Sequence, residues 1–84
     1  MNPTEMIAEL MTVGDFFKVH HKTSFRCWRN EGQEVLVEIE DAGPSMADLR
    51  YSCVATTEDG KMATGNPGPT IDGVLVSVHW YKLD

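Results

Sequence analysis

The chain is short of basic residues: it has seven Lys and Arg against 13 Asp and Glu, a formal net charge of −6. Nucleic-acid backbones are bound by Lys and Arg that displace counterions, so this balance disfavours generic attraction to phosphate. No apolar run approaches the ~20 residues that a membrane-spanning helix needs, which predicts no membrane association. The first ten residues, MNPTEMIAEL, lack the basic start and apolar centre of a signal peptide, so we expect a cytoplasmic protein.

Residues that bind metals or form disulfides are also few. Cys27 and Cys53 are the two cysteines, and in a chain expected to stay in the cytoplasm we predict that they remain reduced. His20, His21 and His79 do not have the C-x-x-C or H-x-x-x-H spacing of common metal sites. The sequence therefore predicts no metal ligands and no cofactor.

Catalytic groups are not evident either. An enzyme needs a nucleophile beside a base, or paired carboxylates in a cleft. Ser45 has no base nearby in the sequence, while Glu38, Glu40 and Asp41 belong to a predicted strand face that is exposed to solvent. A chain of 84 residues also has little volume for a pocket of the usual size. We predict no catalytic residues and a protein that is not an enzyme.

What is present is the material for one small α+β domain over residues 1–84, with a short N-terminal helix, an antiparallel sheet of three to four strands, and a C-terminal helix packed on one face. The run Asn2-Pro3-Thr4-Glu5 is typical of a helix start, and Gly14 is typical of a stop. These signals predict a helix over residues 3–11. So short a helix needs tertiary packing to hold it.

Alternating side chains predict the strands. Residues 15–22 are ambiguous, because Asp15 could cap a helical turn or residues 16–20 could open a strand; we favour a turn that leads into a strand. Residues 23–29 alternate, and residues 34–40 form the clearest strand. The side chains predicted to face inward are Val35, Val37 and Ile39. Phe25 and Cys27 share one side of the strand before them, and Leu49, Tyr51, Cys53 and Ala55 share one side of the strand after them. The turn at residues 58–60 then reverses the chain into a short strand at residues 61–64.

The last segment has two interpretations. As a strand, Val74, Val76, Val78 and Trp80 would line one face. As a helix, residues 71, 74, 75 and 78 would make an apolar stripe at helical spacing, and Thr70 would cap its start. The Pro-rich entry and the length of the segment favour the helix.

The order of these elements, with these loops, resembles the double-stranded-RNA-binding domain, whose fold is α-β-β-β-α. The resemblance covers residues 34–83. Asp41-Ala42-Gly43-Pro44-Ser45-Met46 stands where the family has an acid-small-Gly-Pro-x-His loop, and Tyr51 stands near the aromatic that opens the second strand. Asp59-Gly60-Lys61 matches the family's hairpin turn. Gly65 and Thr70 match the step into its last helix.

The chain departs from the family at the residues that hold RNA. Met46 replaces the loop His that enters the minor groove, and Ile71, Asp72 and Leu75 replace lysines that bind phosphate at the helix start. Double-stranded RNA is held mainly through phosphate and 2′-hydroxyl contacts, which an Asp at this place opposes. The resemblance therefore implies the fold without implying RNA binding.

From these departures the sequence predicts a non-catalytic protein-interaction module: a regulator, adaptor or inhibitor that binds a protein partner, with homodimer formation as one version. Another version is an acidic decoy of nucleic acid. Its predicted charges are Glu34, Glu38, Glu40, Asp41, Glu58 and Asp59. Trp80 and Tyr81 could anchor a partner, since aromatic side chains dominate interface hot spots, or could pack into the core.

The alternative hypothesis is nucleic-acid binding through residues 18–29. This segment contains no acid and interleaves basic and aromatic side chains, as surfaces for single-stranded nucleic acid do. The residues concerned are Lys18, Lys22, Arg26, Trp28 and Arg29. The competing explanation is an edge strand whose basic residues prevent aggregation and form ion pairs with the chain's surplus acids.

Overall fold

A computed structural model describes residues 1–16, 18–29 and 31–84. Its elements in chain order are helix α1 (Pro3–Val13), strands β1 (His21–Arg29), β2 (Gln33–Asp41), β3 (Tyr51–Thr57) and β4 (Met62–Thr64), and helix α2 (Ile71–Ser77). Short 3-10 helices span Pro44–Leu49 and Trp80–Leu83. The predicted α+β class is confirmed. The order of a helix, antiparallel strands and a helix is compatible with an α-β-β-β-α fold that has one further strand.

The four strands form one antiparallel meander in the order β1-β2-β3-β4. Side chains alternate across it as the sequence predicts, because successive residues of a strand point to opposite faces. The face toward α2 carries the core, whose buried sheet residues are Val35, Val37, Cys53, Ala55 and Ala63. The two cysteines stay free, since β2 lies between the strands that carry them.

The helix predicted at the end of the chain is confirmed for residues 71–77, so the strand interpretation is wrong. Thr70 caps it, accepting a hydrogen bond from the Gly73 amide at 3.3 Å. The helix is shorter than its apolar pattern, because Val78 takes an extended conformation with ψ of 134°. That turn lets Val78 and Leu83 follow Val74 into the core beside the sheet.

Helix α1 begins as predicted but is placed unexpectedly. The Asn2 side chain caps the helix by accepting from the Glu5 amide at 2.8 Å. The Glu5 carboxylate reaches back as predicted, but it accepts from the side-chain amide of Asn2 at 3.0 Å and not from its backbone N–H as in a capping box. The helix runs two residues beyond the predicted end, to Val13, and buries none of its residues. The expectation that packing would hold it is therefore wrong. The radius of gyration of 14.7 Å, against roughly 12 Å for a compact chain of this length, fits such a projecting helix.

The starts of two predicted strands are corrected. The strand predicted to begin at Leu49 begins at Tyr51, so Leu49 lies in a 3-10 helix and is exposed. The first strand begins at His21, and the interpretation of Phe17 lies outside the described residues. No helix among the described residues is long and apolar enough to cross a membrane.

Candidate interaction surfaces

The sheet face opposite α2 carries two of the predicted nucleic-acid-binding cations, each beside an acid of the neighbouring strand. Lys22 Nζ lies 2.8 Å from a Glu38 carboxylate oxygen, and Arg26 Nε lies 2.6 Å from one of Glu34. These contacts raise the pKa of both cations, mainly through the hydrogen bond to the carboxylate. Their charge is thus already balanced by the chain's own acids.

The other basic residues point elsewhere. Arg29 faces the α2 side of the sheet, where it donates to the Asp84 carboxylate at 2.5 Å and to the Trp80 carbonyl at 3.4 Å. Lys61 donates to the backbone oxygen of Asp84 at 2.9 Å. Lys18 lies between α1 and β1. The predicted cations therefore do not form one continuous positive face.

The acids predicted to bind a partner are also largely engaged. Besides Glu34 and Glu38, Glu40 lies 3.0 Å from the imidazole of His20. In the β3–β4 turn Asp59 accepts from the Thr57 hydroxyl, which lowers the pKa of its carboxyl. Only Glu58 among the six has an acidic neighbour as its main contact, since a hydrogen bond with Glu34 raises its pKa.

Asp41 forms a two-pronged ion pair with Arg50. Its carboxylate accepts from Arg50 Nε at 2.8 Å, from a second Arg50 nitrogen at 3.0 Å, and from the Gly43 amide at 2.8 Å. The Arg50 guanidinium is the main cause of a pKa of Asp41 below its ordinary value. This pair fixes the loop after β2 to the start of β3.

Asp41 should therefore make stability depend on pH in a defined window. Because the pKa of its carboxyl is lower in the folded than in the unfolded chain, its stabilising effect is complete above the unfolded pKa and is lost as the pH falls through the folded one. We expect the gap in urea midpoint between wild type and Asp41→Asn to be full above about pH 5 and to shrink as the pH falls to about 3. A gap of equal size at both pH values would contradict this.

The two C-terminal aromatics have different roles. Trp80 is half-buried against the core, and its indole N–H donates to the Leu75 carbonyl at 3.1 Å. Tyr81 is exposed, with its ring 5.8 Å from that of His79. The core interpretation holds for Trp80, and only Tyr81 stays available to a partner. His79 is exposed and precedes the final 3-10 helix.

Helix α1 provides the surface that the sequence interpretation missed. Met6, Leu10 and Val13 are spaced i, i+4 and i+7, and their exposed fractions are 43%, 47% and 75%. Glu5 and Glu9 flank them, and α1 contains no Lys or Arg. The amphipathic spacing was visible in the sequence. Its exposure was not, because an apolar helix stripe ordinarily indicates core.

The next stripe of α1 borders a cleft. Ile7 and Met11 line it together with Lys18, residues 41–46 and Arg50, and the cleft volume is ≈ 410 Å³. Two of the polar side chains that line the cleft already contact an acid: Arg50 binds Asp41, and His20 binds Glu40. No group of three metal-ligating side chains occurs among the described residues. The cleft thus has an apolar wall on the α1 side and, facing it, polar side chains that are paired within the chain.

Comparisons with protein-family models, with curated proteins and with solved structures found no match to this chain.

Proposed function

We propose that the chain is a non-catalytic protein-interaction module, on a scaffold that resembles the double-stranded-RNA-binding domain, and that α1 is its binding element. The observation that carries this proposal is an amphipathic helix of 11 residues that buries none of them. A preformed helix with apolar residues at i, i+4 and i+7 is the form that other proteins accept in a hydrophobic groove.

The charges of α1 indicate the chemistry of the partner. Met6, Leu10 and Val13 would enter an apolar groove, and Glu5 and Glu9 would lie along its border. We expect a groove whose rim is basic, since complementary rim charges give specificity and faster association. The capping interactions of Asn2 already order the helix, which lowers the entropy lost on binding.

The engaged ion pairs support a protein partner over a polyanion. Phosphate binding gains its affinity from cations that release counterions, and here Lys22, Arg26 and Arg29 each contact a carboxylate of the same chain. The same pairing argues against an acidic decoy, because the carboxylates concerned are neutralised. Apolar contact through Met6, Leu10 and Val13 of α1 is a source of binding free energy that does not depend on these charges.

Affinity capture from a lysate tests the proposal when it uses matched variants. Leu10→Asp places a charge among the apolar residues Met6, Leu10 and Val13, and Thr12→Asp places the same charge elsewhere on the same helix. We expect the wild type and Thr12→Asp to recover one stoichiometric protein partner, and Leu10→Asp to lose at least nine-tenths of it. Circular dichroism would verify that all three chains are equally folded.

Two results would contradict the proposal. One is equal recovery of every protein by Leu10→Asp and wild type, which would show that α1 is not the binding element. The other is recovery of nucleic acid alone, which would favour binding through residues 18–29.

A further inference from the structure

The outer edge of β1 is the one open edge of the sheet in the part of the chain described. β1 has nine residues and ends the strand order, so only its β2 side is paired. The opposite edge strand, β4, has three residues, and the chain beyond α2 crosses it: the His79 amide donates to the Thr64 carbonyl at 3.2 Å. An unpaired strand presents a row of backbone donors and acceptors that another strand can bind.

β1 also lacks the features that normally block edge pairing. It contains no Pro, and its pairing with β2 is continuous from His21 to Arg29 without a bulge. Large apolar side chains stand along it: Phe25 is 49% exposed on the α2 side and Trp28 is 62% exposed on the other. The backbone groups on the outer edge of β1 are therefore free to pair with another strand.

Its basic residues would be the remaining obstacle to self-association. Lys22, Arg26 and Arg29 each contact a carboxylate of the same chain, at 2.8, 2.6 and 2.5 Å. These ion pairs weaken the edge guard that the sequence suggests, without removing it. Two β1 strands can therefore approach in a register that keeps the cations of the two copies apart.

We infer that two copies of this chain pair antiparallel through β1 about a two-fold axis at Phe25, forming one continuous eight-stranded sheet. This inference goes beyond the proposed function and does not depend on α1. Identical partners with a shared axis are the commonest form of protein association.

The register follows from the positions of the charges. With the axis at Phe25 all nine residues pair, Arg26 faces Ser24 of the second copy and Lys22 faces Trp28. Moving the axis to Ser24 places Lys22 opposite Arg26, and moving it to Arg26 places Arg26 opposite itself. Like charges directly opposite each other destabilise a strand pair, so both alternatives are disfavoured.

The axis at Phe25 also brings apolar side chains of the two copies into contact. Phe25 faces Phe25 of the second copy, and Thr23 faces Cys27, so the exposed strip of β1 on the α2 side becomes the centre of a wider sheet. Phe25 and Trp28 both lose solvent contact, which supplies the hydrophobic contribution to association.

Sedimentation analysis with charge variants tests the association. The wild type should be a dimer that dissociates on dilution. Ser24→Arg places two new cations opposite the two Arg26 side chains, so we expect the dissociation constant to rise at least tenfold. Ser52→Arg, on β3 and away from the edge, is the matched control and should leave it unchanged. A wild type that stays monomeric up to 500 μM, or a Ser24→Arg dimer as tight as wild type, would overturn the inference.

Disulfide trapping tests the register. Opposite residues of antiparallel strands have Cα atoms about 4.5–5.5 Å apart, within the range that a disulfide needs. Phe25→Cys combined with Cys27→Ser should form a covalent dimer under mild oxidation. Ser24→Cys combined with Cys27→Ser should not, since diagonal neighbours are too far apart.

A second trap keeps the Phe25 contact. In Thr23→Cys the introduced thiol faces the native Cys27 of the second copy, and we expect two disulfides per dimer. The wild type should form no disulfide through Cys27, because in this register the Cys27 residues of the two copies are four residues apart along the paired strands. Efficient trapping by the Ser24→Cys combination, or no trapping by either predicted variant, would overturn this register. Neither outcome bears on capture of a partner by α1.

Discussion

Leu83→Ala is expected to destabilise the folded chain by about 2–5 kcal/mol, the usual cost of truncating a buried leucine. The Leu83 side chain has no exposed surface and packs in the core cluster with Val74 and Val78. Small domains have total stabilities near the lower end of about 5–15 kcal/mol. The variant should therefore lose a large fraction of its free energy of unfolding, which urea denaturation followed by circular dichroism would measure.

Val76→Ala is the matched control for this truncation. It removes apolar atoms from the same C-terminal region, but the Val76 side chain is 84% exposed on α2. We expect its urea midpoint to differ little from wild type. If Val76→Ala lost as much stability as Leu83→Ala, burial of Leu83 would not explain the loss. The final 3-10 helix would then not contribute to the core.

Gly65→Ala is expected to cost about 1–3 kcal/mol, because it overpacks a contact between backbone segments. A methyl group at Gly65 would lie 2.9 Å from the Val78 amide nitrogen and 3.0 Å from the Ser77 carbonyl carbon. Both belong to the end of α2, which must approach the loop after β4 this closely for Val78 to reach the core. The measurement is again the urea midpoint, with hydrogen exchange to locate the loosened region.

Gly68→Ala is the control for backbone crowding. Its added methyl group would meet only a Val74 methyl at 3.3 Å, and a side chain can move where a backbone cannot. We expect the smaller loss at Gly68. The reverse order would mean that α2 is not held against the loop at Gly65.

Much of the sheet could be predicted because its signals are local. The alternation of Val35, Val37 and Ile39 with glutamates fixes the buried face of β2, and the cap at Thr70 fixes the start of α2. The end of α2 could not be predicted, since Val78 would fit the apolar stripe of a longer helix. It leaves the helix to bring Leu83 into the core, which is a tertiary requirement.

The candidate surfaces were less predictable because they depend on register. The sequence separates a basic segment from the acids that follow it, which indicates two charged surfaces. The pairing of β1 with β2 instead places Lys22 beside Glu38 and Arg26 beside Glu34. Arg29 donates a hydrogen bond to Asp84, which is 55 positions away in the sequence, and no local pattern predicts such a contact.

The exposure of α1 could not be predicted from the sequence either. Met6 and Leu10 have the spacing of a core stripe, and the sequence offers no sign that α2 and the final 3-10 helix fill the core without them. Whether an amphipathic helix packs within its own chain depends on the space that other elements leave. Here the buried cluster contains no residue of α1.

Affinity capture with two variants side by side decides whether the partner binds the apolar residues Met6, Leu10 and Val13 of α1 or the charges of β1. One variant is Leu10→Asp, and the other combines Arg26→Ala with Arg29→Ala. We expect Leu10→Asp to lose the protein partner and the arginine variant to retain it. Loss of the bound partner, or of bound nucleic acid, on the arginine changes alone would contradict this expectation.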